Sequence, residues 1–536
     1  MTTQRPVVCS FVFSIMLMAG LAASACARGE APGTRGDGPA PVQGGGAARA
    51  SGVDGTLAAA RAGYGSQLSV LGQGVQLTGT SSFLGTEQTV SALISATGDV
   101  LMEVRGKVGM TRCMTGDKAW AKDIGGEVRW LHLGERDEVV LQSLFLTGRW
   151  ADDPRLTFAS GETSDSLRFT LADSPVTGTI TLDKTTHRLS RAEYSAGGDA
   201  SVVTCSDTLE WNGVRLPKTV ELKSSNGDTS SLRFSAAEAA PTFIRSPYQP
   251  VVGYSDVVFD SSKPASLELK RARTGHLLCR PTINGKQFDW FFFDTGAGGA
   301  ILTPEVIDEL KLERFGAVPV SGIGGKLSSS FVRADTIEIG PVTMKDALAT
   351  ELDLTFVANA IGEKVSGIIG FNLLSRCIAE IDQKGGAISL YDPSVYRGTD
   401  VAGALTWVNL VTYERHPCVE ATFEDHSGWF KLDTGAAGST VAIHAPAVTR
   451  LGLLDGRAVT DTRVGGVGGV RTAKQGRLKW FELGGHRTEN VMATFAVESV
   501  GALDDQYTLG NIGGDLMSPF VLVLDYQKER IAFRAR

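Results

Sequence analysis

The sequence predicts a mainly β chain, with a duplicated β lobe at the C-terminal end and an α+β domain built on one curved antiparallel sheet before it. Three observations carry that expectation. The segment Phe293-Asp294-Thr295-Gly296-Ala297 recurs as Leu432-Asp433-Thr434-Gly435-Ala436, 139 residues further on. The residues around the two copies keep a common register. Residues 52–245 alternate apolar and polar positions between turns, the period-two pattern of half-buried strands.

A single Asp-Thr-Gly triplet reads as an ordinary turn. Its surroundings change that reading. Both copies end an apolar run with Trp290-Phe291 and Trp429-Phe430 at matching offsets, and Cys279 and Cys418 each stand fifteen residues upstream of the aspartate. Gly322-Ile323-Gly324-Gly325 answers Gly466-Val467-Gly468-Gly469, and Ile337-Glu338-Ile339-Gly340 answers Phe481-Glu482-Leu483-Gly484, both at an offset of 144. Ser366-Gly367-Ile368-Ile369-Gly370 stands before Leu373-Leu374-Ser375, and Tyr507-Thr508-Leu509-Gly510 before Leu516-Met517-Ser518. Each half closes on two strand patterns, 378–382 with 388–390 and 521–525 with 531–533. The lobes are therefore placed at 270–395 and 407–536.

These motifs resemble the retropepsin-like aspartic proteases, in a fused two-lobe form covering about the C-terminal half of the chain. The resemblance implies that Asp294 and Asp433 are the catalytic pair, one from each lobe. Thr295 and Thr434 would bond backbone across the lobe interface, and Gly296 and Gly435 would let an amide approach a carboxylate that a side chain would block. An apolar-apolar-Gly strand packs behind each loop in that family. Ile368-Ile369-Gly370 fits well, and Thr508-Leu509-Gly510 fits with Thr in an apolar place. Two carboxyls sharing one proton can take a proton from water and give one to an amide carbonyl, so peptide hydrolysis needs neither metal nor covalent nucleophile. No cofactor is expected. The implied activity is that of an endopeptidase acting on polypeptide, complete within a monomer. A non-catalytic peptide- or lipoprotein-binding protein is the alternative.

Ala297 and Ala436 occupy positions where pepsin-like enzymes often carry a hydroxyl that stabilises the ionised pair. Its loss is expected to raise the pKa of the dyad and to give an optimum less acidic than that of digestive pepsins. The glycine clusters have no Lys-Ser or Lys-Thr at phosphate-loop spacing, which excludes nucleotide binding by that route. They suit hairpin flaps over a cleft, with Gly324, Gly325, Gly468 and Gly469 as the candidates, or ordinary β-turns.

In the N-terminal domain a helix is expected near Leu57 to Leu71, followed by strands such as Leu101–Val104, Leu167–Leu171 and Val220–Leu222, with a turn at Trp211-Asn212-Gly213. The helix, the stretch ending at Trp120 and Asn212-Gly213-Val214-Arg215-Leu216-Pro217 are faintly similar to LolA-like lipoprotein-carrier half-barrels. That likeness implies a concavity for lipid or apolar peptide; a solid core is the other reading. A third role, as a segment removed by a cut between about 240 and 270, is also open.

Arg5 precedes an apolar run from Val7 to about Ala22, and Ala23-Ser24-Ala25 lead into Cys26. This pattern predicts a signal peptide over 1–25 and an exported, periplasmic or outer-surface protein, with Cys26 a candidate for lipidation and hence for a lipid anchor to the membrane. Residues 26–51, rich in Gly, Ala and Pro, read as a flexible linker. The 536 residues, 42% hydrophobic, suffice for three cores, and the net charge of −7 without a basic patch excludes nucleic acid as a partner. Cys113 and Cys205 either pair in an oxidising compartment or remain buried thiols. Cys279 and Cys418 are expected to be small core residues. No metal site is expected, because the seven His and the Cys lack short ligand spacing.

Overall fold

A computed structural model describes residues 46–196, 199–224, 229–243, 245–251, 253–323, 325–398 and 405–536, together with 10–11 and 16–17. The segment 1–25 expected to be a signal peptide, apart from those four residues, lies outside the described residues, as do Cys26 and the first part of the expected linker. The first helix, Gly46–Tyr64, begins inside the span expected to be linker and stops seven residues before Leu71. Alanine-rich sequence carries it forward. Gly65, at φ +76°, ends it, and Leu68–Leu71 forms a separate short turn of helix.

Thirteen antiparallel strands between Val75 and Ala239 make the single curved sheet of the N-terminal domain. The alternating burial of segments such as Ser166–Leu171 shows one face turned inward. Asn212 and Gly213, at φ +49° and +81°, close the two-residue hairpin between Trp211 and Val214, as the Asn-Gly pair requires. The helix Leu133–Thr147, which the sequence reading did not place, touches strands from both limbs of the sheet and so fills its concavity. Val140, Leu144 and Phe145 bury themselves against that inner face. An apolar cavity remains between helix and sheet, bordered by Phe83, Met102, Val104 and Leu222. Cys113 packs with Trp120 and Tyr248, while Cys205 lies against a different cluster, and both are free thiols.

Each C-terminal lobe repeats one plan. Trp290–Phe293 runs parallel to Val365–Ile369, with Phe293 opposite Ile369, and His426–Leu432 runs parallel to Gly510–Ile512, with Leu432 opposite Ile512. This register corrects the second backing strand. Ile512-Gly513, not Leu509-Gly510, answers Ile369-Gly370, because Asp433 N–H donates to Ile512 O just as Asp294 N–H donates to Ile369 O, both at 2.9 Å. Asn511 therefore stands where lobe one has Ile368. Val257–Phe259, ahead of residue 270, pairs antiparallel with the first-lobe strand Val342–Glu351.

The closing strands of the two halves join in one five-stranded sheet, in the order Ala387–Tyr391, Ile378–Asp382, Phe520–Asp525, Arg530–Ala535, Trp407–Asn409. One continuous apolar core, including Phe291, Ile369, Phe430 and Phe481, runs through both lobes. Burial of that surface fixes the lobes to each other before any polar contact is counted.

The N-terminal domain grips both lobes through buried ions. Arg376 of lobe one meets Glu127 at 2.9 Å, each side chain 3% exposed, and also Asp256. Arg415 of lobe two meets Asp123 at 3.3 Å, beside Arg129 and Arg112. Removing the domain would take Glu127 from Arg376 and Asp123 from Arg415, which weighs against its loss in maturation. Arg376→Met is expected to leave Glu127 an uncompensated buried anion and to cost about 3–5 kcal/mol. Urea unfolding measures it; a loss below about 1 kcal/mol would contradict this account of the interface.

Candidate active site

The two Asp-Thr-Gly loops meet at the base of the lobes, delivered by the strands ending at Phe293 and Leu432. Four hydrogen bonds made by the two threonines cross between them. Thr295 Oγ1 donates to Leu432 O at 2.7 Å and accepts from Thr434 N–H at 3.0 Å; Thr434 Oγ1 donates to Phe293 O at 3.2 Å and accepts from Thr295 N–H at 3.0 Å. All of these groups are buried, so each would otherwise be an unmade bond in a dry interior. The bonds place Asp294 and Asp433 side by side, close enough that the amide of Gly435, two residues past Asp433, reaches Asp294.

The surroundings of the two carboxyls differ. Asp294 Oδ1 accepts from both glycine amides, Gly296 N–H at 2.7 Å and, across the interface, Gly435 N–H at 3.0 Å. Gly435 has no room for a side chain: a Cβ there would lie 2.4 Å from Asp294 Oδ2. Asp433 Oδ2 instead accepts from Asn511 Nδ2 at 3.3 Å. One oxygen on each carboxyl, Asp294 Oδ2 and Asp433 Oδ1, is buried without a hydrogen-bond partner among the described residues.

Burial pushes Asp294 up to about 7 against the pull of its amide donors. Burial, then the neighbouring charge of Asp294, holds Asp433 well above the usual carboxylate range. The pair titrates as a unit, with Asp294 the readier to ionise. Ala297 and Ala436 are buried beside the loops and add no hydroxyl, in keeping with a raised pair.

Two histidines missed by the sequence reading complete the symmetry. His276 Nε2 lies 2.9 Å from Gly435 O, and His416 Nε2 lies 2.9 Å from Gly296 O, each reaching into the opposite lobe. A carbonyl only accepts, so each Nε2 carries the proton. Burial lowers both rings, to about 4 for His276 and about 3 for His416, which keeps them neutral. Their signal was the recurrence of a histidine just ahead of each repeated cysteine.

The glycine clusters form the turns of two long hairpins, Phe315–Gly322 with Gly325–Ile339 and Val459–Gly466 with Gly469–Leu483. Gly325, Gly468 and Gly469 adopt φ of +128°, +84° and +118°, conformations that favour glycine; Gly324 lies outside the described residues. The tips cross. Ile323 is buried with Ala436 and Val464 of lobe two, and Val467 with Ile301 and Val320 of lobe one.

Two fused β lobes that each deliver one carboxyl to a shared buried pair have the architecture of an acid protease. In agreement, residues 280–373 and 419–515 each match the family described as aspartyl protease, so both halves of the duplication carry the family's pattern. No curated protein matches the chain. Among solved structures, the crystal structure of the LolA superfamily protein NE2245 from Nitrosomonas europaea aligns with 35% of this chain and 92% of its own, at 12% identity and a TM-score of 0.26.

Thr434→Val keeps the shape of the side chain but strands Thr295 N–H and Phe293 O. Each buried group left unmade costs about 1–3 kcal/mol, so a loss of at least about 2 kcal/mol is expected in denaturant unfolding. An unchanged midpoint would show that the cross-lobe bonds do not hold the interface.

Proposed function

We propose that the protein is an aspartic endopeptidase, hydrolysing peptide bonds with a water molecule activated by Asp294 and Asp433. The observation that carries this reading is the buried carboxyl pair, one member from each lobe, locked by reciprocal threonine bonds. Asp294, the readier to ionise, takes a proton from water while Asp433 gives its proton to the scissile carbonyl oxygen. The water oxygen bonds the carbonyl carbon. A proton passed from Asp294 to the amide nitrogen then lets the C–N bond break, and Asp433 recovers its own from the diol.

Extended polypeptide is the substrate class that suits the hairpins. Two extended pieces of the chain's own N-terminus support this: Ser10–Phe11 pairs with Val464–Gly465 and Met16–Leu17 with Val320–Ser321, on the strands that lead to the two tips. Such edges accept an added strand by backbone hydrogen bonds. The proposal includes export, supported by the apolar run from Val7 to about Ala22, with Cys26 as the lipidation candidate. Cell fractionation of the wild type and Cys26→Ser tests it; a wild-type protein retained with the cytosol would defeat export.

Digestion of a denatured protein mixture is expected to fall at least about a thousandfold in both Asp294→Asn and Asp433→Asn, since either change removes the acid or the base. The acid limb of the wild-type pH profile is expected near neutrality, because below about 7 the pair takes up its second proton, on Asp294, and no base remains. A maximum near pH 2, or activity surviving in either variant, would overturn the mechanism. An inert wild type would favour the peptide-binding alternative.

A further inference from the structure

The duplication is broken directly behind Asp433. Lobe one backs its loop with apolar residues, Phe292 paired with Ile368, whereas lobe two has Lys431 paired with Asn511 at the same register. His444 likewise replaces Thr303: each donates its backbone N–H to the matching strand, at Leu509 O and Ser366 O. Lys431 and Asn511 have thus entered one lobe at positions that are apolar in the other, and a histidine stands where the other has a threonine. All three are buried, with Lys431 and His444 at 0% and Asn511 at 1% exposure.

They form a connected chain that ends on the carboxyl pair. Asn511 Nδ2 donates to Asp433 Oδ2, and Asn511 Oδ1 faces His444 Nε2 at 2.9 Å. His444 Nδ1 lies 3.1 Å from Thr508 Oγ1, which donates to Asp505 Oδ2 at 2.7 Å. Lys431 Nζ sits 2.9 Å from both Asp505 and Glu414. Burial opposes the charges on Lys431 and Asp505, yet their attraction for each other, with Glu414 added on the ammonium, keeps both ionised. A buried network of this kind is costly unless every member is satisfied.

We propose that Asn511, held by His444, is a positioning residue that occupies Asp433 Oδ2 and so confines the shared proton to the face formed by Asp433 Oδ1 and Asp294 Oδ2. Those are the two carboxyl oxygens left without partners, and a water or carbonyl oxygen must meet them. An oxygen that accepts from Asn511 does not at the same time donate to it, so the amide makes the two oxygens of Asp433 inequivalent. The same donor stabilises the Asp433 anion. The charged and titratable groups around Asp433 are Asp294 from lobe one, Lys431, Glu414, His444 and Asp505 from lobe two, and the two neutral histidines, His276 and His416, on the glycine carbonyls. This inference rests on the proposed peptidase reading for its kinetic consequence and on the geometry alone for its spectroscopic one.

The test has two readouts. In Asn511→Leu, which restores the apolar character of lobe one, loss of the donor is expected to raise the second ionisation of the pair. The alkaline limb of the kcat/KM profile then moves up by about one pH unit, a tenfold change in the acid constant. His444→Leu is expected to move the same limb in the same direction, by freeing the amide. A uniform loss of activity with both limbs in place would mean a merely structural role and would overturn the proposal. The second readout needs no proteolysis. In the wild-type protein the Asn511 side-chain amide resonance, assigned by its absence in Asn511→Leu, is expected to shift with pH and to lose that shift in Asp433→Asn. An amide indifferent to pH in the wild type overturns the inference, whether or not the protein cleaves peptides; an inert protein with a titrating amide would instead remove only the peptidase reading.

Discussion

The reciprocal bonds of Thr295 and Thr434 are the constraint on which the rest of the site depends. Each hydroxyl satisfies one donor and one acceptor of the opposite loop, so the two loops complete each other and neither is complete alone. The fused core and the five-stranded sheet bring the lobes together by burying apolar surface, which is strong but has little directional preference. The threonine bonds convert that adhesion into a fixed geometry. Only then do two like carboxyls stand close enough that they cannot both ionise.

A duplicated chain is free to let its halves diverge, and this one has done so around the carboxyls. Both glycine amides turn to Asp294, while Asp433 is served by Asn511. The N-terminal domain adds a second departure from symmetry. Glu135 accepts from Glu414 N–H at 2.8 Å, so its grip on lobe two reaches the residue that pairs with Lys431. Its other hold, through Glu127 and Arg376, falls on lobe one. A domain that carries half of each buried pair acts as a brace between the lobes.

Much of this was legible in the sequence, for a physical reason. Asp294 and Asp433, with their threonines and glycines, are short-range motifs whose spacing survives duplication, and the hairpin glycines mark turns that few other residues can form. The register of the second backing strand was misread because Asn511 sits where lobe one has Ile368; a polar residue in a buried strand hides an apolar pattern. His276 and His416 escaped because their role is to bond a carbonyl in the opposite lobe, a contact that no local spacing encodes. The helix Leu133–Thr147 went unplaced because it is buried widely around its circumference, including Asp137 and Ser143, and so lacks a clean apolar stripe. Cys113 and Cys205 were open to pairing or to burial as thiols because spacing alone does not encode which cluster each joins; they join different ones and stay free.

The central claim is that the two lobes present one shared-proton dyad to a single reacting oxygen. The most direct test is a crystal structure of the full chain with a peptide analogue carrying a hydroxyl in place of the scissile carbonyl. The account predicts one analogue per chain, extended beneath both hairpins, its hydroxyl within hydrogen-bond distance of Asp294 Oδ2 and Asp433 Oδ1 together. A hydroxyl bound to one carboxyl alone, or an analogue seated away from the pair, would contradict it.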